Sequence, residues 1–164
     1  MDIKLLDPYV LSVLKKSNWF EARKVNVDSL IEQLESEGYR CFEYARKVLE
    51  SLNGISVDEG PFGDYMGAHF EIDARNGSSE YDRLADFEAI AGEKLFPIGD
   101  NHVELIYVGE SKHIYGGSWN HFQWLANNIE EYLNYNFIRS YPYKVLWSGD
   151  GSFPAHETDE ETAD

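Results

Sequence analysis

The chain has 164 residues, 43% of them hydrophobic, with four Trp, eleven Tyr and nine Phe, which is enough to bury a core in one domain and disfavours disorder over most of its length. Fourteen Lys plus Arg against thirty Asp plus Glu leave a formal charge of −16, which repels phosphate backbones and anionic membrane surfaces, and no run approaches the ~20 apolar residues of a membrane span. Cys41 is the sole cysteine, excluding an internal disulfide and a thiolate metal cluster; with no apolar h-region in residues 1–20, the expected compartment is the cytoplasm.

Leu5, Leu6, Tyr9, Val10, Val13 and Leu14 recur at helical spacing, with Asp7-Pro8 near the start and Lys15-Lys16 where cations favour a helix C-terminus. Asp28 is expected to cap a second helix carrying Leu30, Ile31 and Leu34. Gly38 would end that helix, and Glu32, Glu35 and Glu37 would face solvent. A third helix follows with Phe42, Ala45, Val48, Leu49 and Leu52 in one stripe and Asn53-Gly54 as its stop.

Ile55-Ser56-Val57 opens a strand. Residues 58–67 hold three glycines, a proline and three acids and read as an exposed loop; residues 68–73 alternate and read as a strand. Asn76-Gly77-Ser78 reads as a turn rather than a glycosylation site. Ser78 or Ser79 is expected to cap a fourth helix, with Tyr81, Leu84, Ala85, Glu88 and Ala91 on one face up to Gly92. Pro97-Ile98-Gly99 is expected to form the turn that leads into a hairpin of residues 103–108 and 113–116. Phe122, Leu125, Ala126, Ile129, Tyr132 and Leu133 suggest a closing helix with Glu130 and Glu131 outward, and residues 141–147 a final strand.

This order gives an α+β fold: a largely antiparallel sheet with helices packed on one face, leaving its other face or an edge for a partner. Residues 1–149 are expected to form the single domain. Residues 150–164, with Asp150, Glu157, Asp159, Glu160, Glu161 and Asp164 and no Lys or Arg, are expected to form an acidic tail without fixed structure beyond about Pro154.

Catalytic patterns are weak. His69-Phe70-Glu71 and His102-Val103-Glu104 each place an imidazole and a carboxylate on one side of a strand, which is weakly metal-like but lacks further ligands; hydrogen-bonded histidines are the plainer reading. Cys41 precedes an apolar helix stripe without a nucleophile signature and reads as a partly buried small residue. Phosphate-loop, nucleophile-elbow and dinucleotide motifs are absent. No catalytic residue, cofactor or metal is therefore expected.

Trp19, Trp119, Trp124 and Trp147 are either core or interface anchors, with Trp119 the best anchor because it follows a Gly116-Gly117-Ser118 turn, where a large side chain is hard to bury completely. Tyr65 and Met66 in the acidic 58–67 loop are similar. The patch expected to meet a partner is Asp58, Glu59, Asp64, Tyr65 and Trp119, its carboxylates suited to a cationic protein; simple solubility is the plainer use of the charge.

Three segments carry a family resemblance: Asn18-Trp19-Phe20-Glu21-Ala22-Arg23-Lys24-Val25, Leu95-Phe96-Pro97-Ile98-Gly99 and Ile114-Tyr115-Gly116. With Asn53-Gly54-Ile55 and Ala68-His69-Phe70 between them, their order resembles the SUKH superfamily, particularly its third branch of immunity proteins, over about residues 18–135. The resemblance implies a non-enzymatic antitoxin that binds and neutralises a bacterial polymorphic toxin, often a basic nuclease domain. Two alternatives stand beside it. One is a general scaffold of the same fold, since eukaryotic regulators of cell-wall signalling share the superfamily; the other is a hydrolase using a His and carboxylate pair.

Overall fold

A computed structural model describes residues 1–57, 70–138 and 143–150. Within them the order is α1 (Pro8–Lys16), α2 (Asp28–Glu37), α3 (Glu43–Leu52), β1 (Ile55–Val57), β2 (Phe70–Ile72), α4 (Leu84–Ala91), β3 (Leu95–Asp100), β4 (Leu105–Gly109), β5 (Ile114–Ser118), β6 (His121–Ala126), α5 (Ile129–Ile138) and β7 (Lys144–Ser148). The seven strands form one antiparallel sheet in chain order, each pairing with the next. The α+β class and the antiparallel sheet are as the sequence implies.

The first helices follow their local chemistry. Asp7 accepts a bond from the Tyr9 N–H at 2.8 Å and Pro8 takes the first helical position, so α1 starts with its orphan donor satisfied. Its face of Val10, Val13 and Leu14 is buried, whereas Leu5 lies in a 3₁₀ turn (Ile3–Leu5) and is exposed. Asp28 is not the cap of α2 but its first residue. Asn26 Oδ1 accepts the Asp28 N–H at 2.9 Å, and the Asp28 carboxylate instead accepts from Arg46 Nη1 at 2.6 Å. Gly38 ends α2 at φ +118°, where a Cβ would also lie 2.5 Å from the Tyr81 ring.

In the middle of the chain the structure departs from local pattern. Ser78 Oγ and the Ser79 N–H both donate to the Glu37 carboxylate, so neither serine caps a helix. A 3₁₀ turn (Tyr81–Arg83) leads into α4, whose buried residues are Leu84 and Phe87, with Ala85 exposed. Pro97-Ile98-Gly99 lies inside β3 rather than in a turn. The register slips between Pro97 and Gly99, forming a bulge that accommodates a residue without an N–H. At Gly99 a Cβ would stand 2.0 Å from the Glu71 carbonyl oxygen, so only glycine lets β2 approach there.

The expected closing helix is divided. Residues 121–126 pair with β5 as a strand, and α5 begins only after Asn127-Asn128, where Asn128 Oδ1 accepts the Glu131 N–H at 2.8 Å. Glu130, expected to face outward, is buried and accepts the Asp2 N–H at 2.6 Å.

Ile106, Tyr107 and Val108 are consecutive and all buried, so β4 is covered on both sides. On the Tyr107 side α4 supplies Phe87, which stacks on Phe122 at 4.5 Å between centroids and meets Tyr107 edge-on at 5.7 Å. Tyr115 continues the stack on Phe122 at 5.4 Å. Gly117 permits this arrangement, since a Cβ there would sit 2.8 Å from the Phe87 ring.

Candidate functional site

Trp19 and Arg23 are held inside the fold. The Trp19 indole N–H donates to Ser51 Oγ at 3.2 Å, while Arg23 donates to the Ser51 and Asn53 carbonyls, both at 2.7 Å. These carbonyls close α3, so the guanidinium satisfies orphan acceptors at the negative end of the helix dipole, and its partial burial lowers its pKa. Arg23 therefore pairs with the backbone at the end of α3.

The opening between the 3₁₀ turns Ala74–Gly77 and Tyr81–Arg83 and the β3–β4 and β5–β6 connections is a cleft of about 540 Å³. Phe87, Tyr107 and Gly117 contribute to its aromatic floor; Glu80, Asp100 and Arg83 bring charge; Val103 and Trp119 supply apolar surface. Trp119 is 61% exposed and Val103 62%. Two large apolar side chains that open at one concave site are a feature of recognition surfaces.

Trp119 sits in the turn between β5 and β6, not after one: Gly116-Gly117-Ser118 belongs to β5. Arg83 fixes it there. Its Nη1 donates to the Trp119 carbonyl at 2.6 Å and its guanidinium carbon lies 5.8 Å from the indole centroid, a contact worth about 0.5–1 kcal/mol at an exposed site.

A pair of side-chain turns in the β3–β4 connection shapes another part of the cleft lining. Asp100 Oδ1 accepts the His102 N–H at 3.0 Å, and Asn101 Oδ1 accepts the Val103 and Glu104 N–H groups at 3.1 and 3.0 Å. His102 has φ +69°, so it occupies a tight turn and not a strand. The same-face His102 and Glu104 pairing read from sequence is thereby overturned. Asn76 Nδ2 donates to the second Asp100 oxygen.

Glu104 instead pairs with His121, seventeen residues further along the chain. Its buried carboxylate lies 2.8 Å from His121 Nε2 and accepts from Gln123 Nε2 at 2.9 and 3.0 Å, while Ser118 Oγ is 2.7 Å from His121 Nδ1. A hydroxyl, an imidazole and a carboxylate in line have the order of a hydrolytic triad, but Ser118 Oγ is also 3.1 Å from Asn120 Oδ1. The network ties β4, β5 and β6 together at the rim of the cleft.

Glu93 braces the turn between β4 and β5. Glu93 accepts from the Ser111 N–H at 2.7 Å, Ser111 Oγ at 2.6 Å and Tyr115 Oη at 2.6 Å. Burial works to raise its pKa, but these donors and His113 outweigh that and hold it below the usual range. Burial pushes the half-buried Cys41 thiol up to about 11, against the activated thiolate a nucleophile requires. Among the described residues, no group of three or more His, Cys, Asp or Glu is placed to hold a metal ion, and no helix is long and apolar enough to cross a membrane.

Of the expected patch, Trp119 lies at the cleft, whereas Asp58, Glu59, Asp64 and Tyr65 are outside the described residues, as are His69 and the tail from 151 onward. The cleft adds Glu80, Arg83, Asp100 and Val103. The Asp100-Asn101 pair, a strong side-chain turn former, was the sequence signal for the rim.

Residues 6–138 match the family model described as SUKH-3 immunity protein. No curated protein and no solved structure matches the chain.

Proposed function

The chain belongs to the SUKH-3 immunity protein family, and from that membership we propose that it is the cytoplasmic antitoxin of a bacterial competition system, neutralising a cognate toxin by stoichiometric binding. Its partner in this reading is a cationic toxin domain, with a nuclease the favoured class. The family match over residues 6–138 carries the proposal. The charge of −16 supports the choice of partner, because a nuclease built to hold phosphates presents the complementary potential and long-range attraction speeds encounter.

Binding alone suffices for this task. A protein seated over a nuclease active site excludes substrate, and carboxylates placed where phosphates go compete for the same cationic groups. Trp119 is the anchor expected from sequence, with Asp58, Glu59, Asp64 and Tyr65 as the companion patch. Truncation of a central aromatic anchor typically costs 2 kcal/mol or more of binding.

The test is coexpression with toxin domains encoded beside its gene. Restored growth with one of them, accompanied by copurification of the pair, supports the proposal; continued killing by every neighbouring toxin despite soluble expression contradicts it.

A further inference from the structure

The cleft beside Trp119 has a composition that selects its occupant. Its floor is aromatic, its exposed apolar contributors are Trp119 and Val103, and Glu80 and Asp100 bring carboxylates to the same opening. Arg83 shows what such a surface accommodates: a guanidinium lies 5.8 Å from the indole centroid and bonds the Trp119 carbonyl at 2.6 Å. That contact also holds the indole in place before any partner arrives, which lowers the entropy lost on docking.

We propose that this cleft receives a loop of the toxin bearing an arginine next to an apolar residue, the guanidinium entering toward Glu80 and Asp100 and the apolar side chain covering Trp119 and Val103. The inference rests on the toxin-binding reading above and names the chemistry of its contact. Arginine fits better than lysine because its planar fork of donors matches carboxylates in a fixed geometry, whereas an ammonium is a point charge. The volume of about 540 Å³ lies within the usual range for a binding cleft and holds side chains rather than a helix. A second copy of this acidic chain is disfavoured by like charge, and a nucleic acid more so.

The experiment uses the full chain with indole ¹⁵N labelling, where Trp119→Ala assigns one of the four Trp signals. A blocked Arg-Leu dipeptide at millimolar concentration is the probe, and its citrulline counterpart, neutral but nearly the same shape, is the control. The expected result is a saturable shift of the Trp119 signal with arginine alone, weakened about tenfold in the Glu80→Gln, Asp100→Asn double variant and by added salt. The other three indole signals report that the variant is folded. An unmoved Trp119 signal, or an equal response to citrulline, overturns the proposal.

The toxin supplies the second arm. If a neighbouring toxin binds wild type and the Trp119→Ala and double variants with equal affinity, the docking site is elsewhere and the cleft proposal fails while the immunity reading stands. If the dipeptide binds as expected but no neighbouring toxin does, the immunity reading fails and the cleft stands as a guanidinium site.

Discussion

The Glu104 carboxylate comes within 2.8 Å of His121 Nε2 because residue 116, on the strand between them, is glycine. A Cβ at that position would lie 2.1 Å from the Glu104 carboxyl carbon. One missing side chain therefore lets a buried acid bridge β4 and β6 over the intervening β5, bracing the rim on which Trp119 is carried.

Gly116→Ala is accordingly expected to destabilise the fold by about 1–3 kcal/mol through overpacking, seen as a lower midpoint in urea. The clash has a named partner, so the cost should largely vanish when the same change is made in a Glu104→Ala background. An equal loss in both backgrounds would show that something other than the carboxylate occupies that space.

Arg23→Met removes donors from the Ser51 and Asn53 carbonyls and is expected to cost about 1–3 kcal/mol of stability. Toxin affinity, measured well below the unfolding transition, should stay unchanged. A variant with wild-type stability and weakened binding would place Arg23 at the interface instead.

Acid stability follows from Asp73 and Glu93. The bonds Arg75 makes to Asp73 lower that carboxyl against the opposing effect of burial; at Glu93 the Ser111 and Tyr115 donors and His113 exceed the upward push of burial. Both titrate lower in the folded chain than in the unfolded one, where carboxyls have pKa values of about 4. The folded state then binds fewer protons, so this contribution is complete above about pH 4–5 and is lost as pH falls through the depressed folded values. Glu93→Gln should flatten the fall in urea midpoint between about pH 5 and 3, whereas an unchanged slope would exclude Glu93 as a source.

Cys41, its thiol pushed up to about 11 by burial, is expected to react slowly with a disulfide reagent at neutral pH and at a normal rate once the chain is unfolded in urea. Rapid labelling of the folded protein at pH 7 would reveal a thiolate and reopen a nucleophilic role.

Elements whose ends are written in local chemistry were legible in the sequence: Asp7-Pro8 for α1, Gly38 for the end of α2, Asn53-Gly54 between α3 and β1. Those decided by pairing partners were not. Residues 121–126 fit a helical period, yet β5 draws them into the sheet, and the Asn127-Asn128 cap marks the true start of α5. Pro97 resembles a turn residue until the bulge and the close approach of β2 at Gly99 are in place. The exposure of Trp119 was legible in the small residues before it, but Val103, Arg83 and Asp100 join it at one cleft only through folding, across sequence separations no local pattern records. The Glu104 and His121 pair was hidden for the same reason, since the nearer His102 drew the more obvious pairing.

Titrating the cognate toxin with purified protein, and following its activity against molar ratio, tests stoichiometric neutralisation most directly. Activity should fall linearly to zero near one equivalent, with an association rate that drops as salt is raised. Full toxin activity at excess protein, or inactivation of many toxin molecules by each molecule added, would contradict it.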